Sequence, residues 1–546
     1  MTHEVRNQPP PLTGYDLFAA DAALAQGVER FDAGWARDSL GAIGLLAGSE
    51  EAIRWGFEAN TYEPVLRTHD RFGHRIDEVE FHPAWHCLME TAVSRGLHAS
   101  PWREPRPGAH VARVAAFAIW SQAEAGHGCP ISMTHAAVPA LRVQRDLAAR
   151  WEPRLLSLAY DPGLRAAGEK RGALCGMAMT EKQGGSDVRA NATRAEPAGA
   201  GGPGAEYLLS GHKWFCSAPM CDAFLVLAQA PGGLSCLLLP RVLDDGTRNS
   251  FSIQRLKEKL GNRSNASSEV EFERAHAWLI GEEGRGVQAI IEMVNHTRLD
   301  CIVGSAALQR QALAQALHHA AYRYAFGKAL IDQPLMRNVL ADLAIESEAA
   351  TWLMLRLAAS CDRAAGDERE AALKRIGTAI GKYWICKRTP SSVAEALECH
   401  GGNGYVEESI LPRLYRESPL NSIWEGSGNV NALDVLRAME KEPETLDAYV
   451  AELSPAVGAD RHLDAAMGRL HRELAERGQI EARARRVVEH MALVLQGALL
   501  VRYAPPAVAD AFCASRLGGE WGHAFGTLPV TVAFGAILDR ARPRPA

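Results

Sequence analysis

Between Val287 and Phe326 the chain carries no proline and a single glycine, Gly304, so nothing in that stretch interrupts a helix. At about 1.5 Å per residue such a helix runs about 60 Å. A helix that long keeps its shape in water only if other helices cover its apolar positions. Pro334 opens a second long run in which Met336, Val339, Leu340, Leu343, Ala350, Leu353, Met354 and Leu357 form an apolar stripe. Segments 368–399 and 429–442 also read as helices, and four such elements predict an antiparallel bundle over 285–442.

Upstream the pattern changes. Residues 14–160 hold apolar positions at helical spacing, such as Val111, Val114, Ala115 and Ile119, between charged and Pro/Gly-rich loops. They predict a helical first domain over 1–171. From 172 to 284 short strands are expected at 173–179, 206–215, 223–228, 234–239 and 268–272. In the last of these Glu269, Glu271 and Glu273 alternate with Val270 and Phe272, the period of a half-buried strand. A small antiparallel β domain is expected there, with 196–204 as a flexible hairpin loop. The fold class is therefore mainly α with a central β domain, plus an added helical domain over 443–546. That last segment has no lysine, and its arginines include Arg469, Arg472, Arg477, Arg483, Arg485 and Arg486.

Composition excludes some functions. A formal charge of −6 rules out a coat of basic surface, so any nucleic-acid contact must be local. The first residues lack a basic region followed by an apolar stretch, and the most apolar late run, 491–501, is interrupted by Gln496 and too short to cross a bilayer. No membrane span and a cytoplasmic location are expected. The 11 cysteines form no CxxC pair and read as reduced thiols. His82 and His86 stand four apart, as zinc-binding pairs do, but no third ligand lies nearby in sequence, and no metal is expected.

Three segments carry candidate chemistry. Ala178 to Ala190 pairs Gly184 with Gly185 and adds the hydroxyls of Thr180 and Ser186 after a strand-like run, which suits a flat heterocycle and a phosphate. Glu398 to Tyr405 holds Gly401, Gly402 and Gly404. Ser422 to Asn429 places one carboxylate, Glu425, between Trp424 and Gly426. A lone glutamate in a loop is usually a solvated surface group. One desolvated on one side gains the proton affinity a general base needs.

In this order the segments resemble the acyl-CoA dehydrogenase family of flavoproteins. Its first signature runs from Ala178 through Thr180, Glu181, Gly185, Ser186 and Asp187 to Ala190. Its second takes in Glu398, Gly401, Gly402, Gly404, Tyr405, Glu408, Arg413 and Glu417. The segments 82–86, 259–267 and 423–429 resemble the AidB branch, the alkylation-response members, and the likeness begins at Asn7-Gln-Pro-Pro-Pro.

The resemblance implies FAD as cofactor, bound at Met179, Thr180, Gly185, Ser186, Trp214 and Cys216, where the family usually has threonine at the last. It implies that Arg323, Phe326 and Gln333 bind the ADP half of FAD from a neighbouring subunit in a homotetramer. Gly401, Gly402 and Gly404 would lie by the pyrophosphate, and Ser427 and Asn429 complete the set. Glu425 would be the catalytic base in α,β-dehydrogenation of an acyl-CoA, with Trp424, Arg298 and Arg437 in the substrate pocket. Where some relatives draw the base from the long helix, this chain has Thr297. Trp424 in place of the common tyrosine, and Arg437 three turns beyond Glu425, imply a slow or restricted enzyme. The branch also implies double-stranded DNA as a partner through the added domain, with Arg483, Arg485 and Arg486 as contacts. An ordinary short- or branched-chain dehydrogenase that passes electrons to electron-transfer flavoprotein is the alternative. A flavin-free scaffold is the third reading.

Overall fold

A computed structural model describes residues 2–476 and 478–543; Arg477, one of the arginines noted above, lies outside the described residues. The chain divides into two compact units, one of residues 54–105 and 124–297, the other of 1–53, 106–123 and 298–546. The division falls inside the helix Gly286–Tyr322.

In the first unit, helices Pro83–Ser94, Gly128–Leu141 and Arg145–Leu155 accompany a sheet. Sequence periodicity gave no sign of the β-hairpin Val65–His69/Arg75–Glu80 that lies within the expected helical segment. Its strands are polar at most positions, so an apolar alternation is missing. His82 caps the helix that follows, its Nδ1 accepting from Ala84 N at 3.2 Å, and His86 Nδ1 lies 2.9 Å from Tyr160 Oη.

Strands Cys175–Ala178, Arg194–Pro197, Glu206–Ser217, Ala223–Ala230, Gly233–Pro240, Phe251–Leu256 and Ser267–Ile280 make one seven-stranded sheet. Five of them close a ring, because Gly233–Pro240 pairs with both Ser267–Ile280 and Ala223–Ala230. Most pairs are antiparallel as expected; Cys175–Ala178 runs parallel beside Ala223–Ala230. The inside is apolar, with Tyr207, Leu209, Phe224, Val226, Leu237, Val270 and Leu279 packed together. Glu269, placed by the alternation on the solvent face, is instead almost buried, clamped by Arg255 and Lys257.

In the second unit the long helix stops at Tyr322, short of Phe326, where a two-residue-per-strand hairpin, Tyr324–Ala325/Lys328–Ala329, begins. Pro334 is the first residue of helix Pro334–Arg363, as its fixed φ favours. Asp367 caps Glu368–Glu398 by accepting from the backbone N–H groups of Arg369 and Glu370. Helix Gly428–Lys441 completes the bundle set. Arg113, on helix Ala109–Ser121, reaches the long helix through a buried ion pair with Asp300.

The added domain, Glu444–Leu453, Arg461–Ala475, Ile480–Tyr503 and shorter pieces, is tied to the bundle by desolvated charge. Arg516 lies 2.5 Å from Asp342 and 3.0 Å from Glu346, which also holds Arg388 at 3.1 Å. Arg356 meets Glu370 and Glu452, each at 2.8 Å, and Glu452 holds Arg502 at 2.8 Å. Among the described residues no helix is long and apolar enough to cross a membrane.

Burial works against a charged Glu346, but Arg388 and Arg516 outweigh it and lower its carboxyl to about 2. A carboxylate whose folded pKa is depressed adds stability above its unfolded value, and that stability is lost as pH falls toward the folded one. Thermal melts from pH 5 to pH 2 are therefore expected to show falling stability. Glu346→Gln, which takes the carboxylate from Arg388 and leaves Arg516 to Asp342 alone, is expected to cost about 3 kcal/mol at pH 7 and to flatten that slope.

Candidate functional site

Glu425 sits in a turn between the short helical turn Leu420–Ser422 and helix Gly428–Lys441. Its φ is 57°, the left-handed region that costs a residue with a Cβ about 1–2 kcal/mol. The turn persists because its carbonyls are held. Lys382 Nζ donates to the carbonyls of Trp424 at 2.7 Å and Gly426 at 2.6 Å, and Arg298 Nε donates to the Glu425 carbonyl at 3.0 Å. Lys382 is 1% exposed. Asn431 Nδ2 adds a bond to Gly426 O at 2.6 Å, and Trp424 Nε1 donates to Asn421 Oδ1 at 2.9 Å. Asn421 in turn donates to Ser305 Oγ.

Arg298 is anchored from behind. Its Nη1 donates to Asp434 Oδ2 at 2.6 Å, and Arg375 Nη2 donates to Asp434 Oδ1 at 3.0 Å. Burial disfavours the Asp434 carboxylate, yet Arg298 and Arg375 outweigh that and hold it below the usual carboxylate range. Arg437 is mostly exposed and leans toward the same carboxylate at 3.8 Å. Arg298 therefore serves both as a bundle ion-pair partner and as a clamp on the turn.

Sequence reasoning singled out Glu425, Trp424 and Arg298 and missed Lys382 and Asp434. A signal for Lys382 was present: it is the one charged residue in Ala379-Ile-Gly-Lys-Tyr-Trp-Ile-Cys386, and a lysine inside an apolar helical run must find acceptors. Nothing local marks Asp434.

Ser427 and Asn429 are exposed at the start of the next helix, and Asn429 Oδ1 accepts from Arg485 Nε at 2.7 Å. A Cβ at Gly428 would come within 2.8 Å of Lys387 Cε. Arg485 thus touches the helix that begins beside Glu425. Arg483 turns back on the carbonyls of Glu476 and Gly478, and Arg486 pairs with Glu473 at 2.7 Å while staying 77% exposed.

The remaining residues expected to hold FAD fall into two groups, one in each unit. In the second unit Gly401, at φ 59°, and Gly402 have open space where a Cβ would project, so their backbone is approachable, whereas Gly404 packs against the Leu397 carbonyl. Phe326 stands 99% exposed, Arg323 directs Nη1 to the Asn7 carbonyl, and Gln333 Nε2 donates to Ala325 O at 2.9 Å.

In the first unit Met179 and Thr180 follow the strand Cys175–Ala178. The loop beyond is tight, since a Cβ at Gly185 would lie 2.5 Å from Thr180 Oγ1. Ser186 is exposed. Trp214 N donates to Thr180 O at 2.8 Å, and Lys257 Nζ stacks 3.3 Å from the Trp214 ring centre. Cys216 is fully buried, and burial pushes its thiol up to about 12, so it stays neutral. A buried brace fixes this loop: Glu181 and Lys213 meet at 2.8 Å, and Glu181 also accepts from Ala192 N and Thr193 N. Desolvation lowers Lys213 to about 8 despite Glu181. Glu181 of the first signature is thus a structural tie.

These are residues suited to hold FAD: glycines that let backbone approach, hydroxyls, and an aromatic flank. The match to known proteins agrees. Residues 7–162 match the family described as Adaptive response protein AidB N-terminal domain. Residues 176–275 and 284–440 match the acyl-CoA dehydrogenase middle and C-terminal domains. The chain is 48% identical over 523 residues to AidB of Escherichia coli (strain K12), covering 95% of each. It is 28% identical to acyl-CoA dehydrogenase family member 11 of Caenorhabditis elegans, over 84% of this chain and 78% of that one. The crystal structure of Caenorhabditis elegans ACDH-11 in complex with C11-CoA superposes with a TM-score of 0.87 at 26% identity, covering 95% and 94% of the two chains. With these likenesses over 95% of its length, the chain belongs to the AidB branch of the acyl-CoA dehydrogenase family, FAD-dependent oxidoreductases acting on CH–CH bonds.

Proposed function

We propose that the protein dehydrogenates an acyl-CoA thioester between Cα and Cβ, with Glu425 as the base. The observation that carries this is the turn itself, in which three consecutive carbonyls are clamped so that Glu425 is held in a strained backbone conformation. Strain kept in place by surrounding groups is a mark of working sites. Glu425 takes the α-proton onto its carboxylate, and the electron pair of that C–H bond becomes the new Cα=Cβ bond. FAD held there would supply the acceptor for the hydride that leaves Cβ. The relative crystallised with C11-CoA supports a fatty acyl-CoA as the substrate class. Trp424, larger than tyrosine and tied to Asn421, narrows the choice of acyl chain and keeps turnover slow.

The same reading places the protein in the cytoplasm as a homotetramer serving the response to DNA alkylation, with double-stranded DNA held by the added domain through Arg483, Arg485 and Arg486. The exposure of Arg486 supports this. The alternative is a plain metabolic dehydrogenase that reduces electron-transfer flavoprotein.

Anaerobic titration of the yellow protein with straight- and branched-chain acyl-CoAs tests the chemistry. Bleaching of the flavin is expected, and Glu425→Gln is expected to slow it by about 10²–10⁴-fold with FAD content unchanged. Bleaching at the parent rate by that variant ends the assignment. Lys382→Met removes the lysine's bonds to the Trp424 and Gly426 carbonyls, leaving Gly426 O to Asn431 alone, and kcat is expected to fall about 100-fold with little change in KM. A variant that loses stability but keeps kcat shows that the lysine only supports the fold. For DNA, affinity for a duplex is expected to drop steeply as salt rises, and Arg486→Ala is expected to reduce the log–log salt slope by about one. A salt-independent affinity favours the metabolic reading.

A further inference from the structure

The strap Asn7-Gln8-Pro9-Pro10 is bound to three segments at once. Asn7 lies at φ 58° and offers its amide both ways to one residue: Nδ2 donates to Tyr324 O at 2.8 Å, and Oδ1 accepts from Tyr324 N at 2.8 Å. Its own carbonyl accepts from Arg323 Nη1. Asn403, in the glycine segment, donates from Nδ2 to Gln8 Oε1 at 3.5 Å, and His318, near the end of the long helix, lies with Nε2 2.8 Å from Pro10 O. Burial lowers the His318 pKa, so at neutral pH it is an uncharged ring, and the Pro10 carbonyl selects the tautomer with hydrogen on Nε2. Three prolines in a row, Pro9 to Pro11, restrict the strap to extended backbone, which reduces the entropy lost in docking it.

Beyond the strap, the hairpin it grips is held by Gln333 Nε2 on the Ala325 carbonyl and by Leu330 N on the Arg323 carbonyl. Tyr324–Ala325 and Lys328–Ala329 contribute two paired residues each, and a hairpin of that size is marginal alone. Its tip, Phe326, is also at positive φ and almost wholly exposed. An asparagine that exchanges both bonds with one backbone unit acts as a missing ladder rung.

We propose that residues 7–10 form a positioning strap for the ADP half of FAD, with Asn7 as its key residue: it fixes the hairpin carrying Arg323 and Phe326 and links it to the segment of Gly401 and Gly402. This rests on the reading of those residues as ADP contacts. The strap acts through the hairpin, so its loss is read as weaker FAD binding together with a looser hairpin.

The test uses the full chain stripped of flavin and retitrated with FAD, alongside hydrogen–deuterium exchange over 322–333. Asn7→Gly keeps the backbone conformation and removes the amide. It is expected to raise the FAD Kd about tenfold and to speed exchange at Tyr324, with the flavin-free melting temperature within about 2 °C of the parent. Phe326→Ala, which the strap does not touch, reports on the underlying reading and is expected to raise the Kd as well. If Phe326→Ala weakens FAD binding and Asn7→Gly does not, the strap is overturned and the ADP reading stands. If neither variant changes the Kd, both fall. A raised Kd in Asn7→Gly with Tyr324 exchange unchanged also overturns the strap, because Asn7 then acts without the hairpin.

Discussion

A buried ammonium shared by two carbonyls governs the site. Taking a lysine out of water is costly, and Lys382 recovers that cost only by satisfying backbone oxygens of the Trp424–Gly426 turn. The turn and the lysine therefore stabilise each other: without the lysine the Trp424 carbonyl loses its side-chain donor and Gly426 keeps only Asn431, and without the carbonyls the lysine is an unpaired buried charge. Arg298 adds the third clamp, and Asp434, flanked by two arginines, keeps Arg298 from swinging away. The backbone at Glu425 is thus positioned by three clamped carbonyls.

How far this was legible in the sequence differs by level. The long helices were plain, because Pro334 and the scarcity of glycine in 287–326 act locally and the helices observed, Gly286–Tyr322 and Pro334–Arg363, follow them closely. The five expected strands were found within a few residues at most ends, except Ser267–Ile280, which continues well past 272 because Ala275, Ala277 and Leu279 keep the inward alternation. The polar hairpin Val65–Glu80 was illegible, since its cross-strand partners stabilise it without an apolar pattern. At the site, motif residues were readable and their supports were not: Asp434, Asn421 and Lys213 earn their roles through contacts between residues distant in sequence, which no local pattern records.

The added domain is fastened to the bundle by desolvated charges more than by a flexible join. Arg516 with Asp342 and Glu346, and Arg356 with Glu370 and Glu452, are networks whose members lie on both sides of residue 443. Buried networks of this kind favour one arrangement over its neighbours, because a slipped packing strands several charges at once. The Arg485–Asn429 bond extends that linkage to the helix following Glu425, so the added domain and the site share one framework.

The left-handed backbone at Glu425 separates two roles that a single residue often combines. Because the peptide path is imposed from outside, through carbonyls, conformation at this position is inherited from the scaffold and reactivity from whichever side chain is placed there. Asparagine and aspartate, which tolerate that geometry best among residues with a Cβ, become natural grafts for redesign. The position is thus a socket whose chemistry can be reprogrammed while its mounting stays the same.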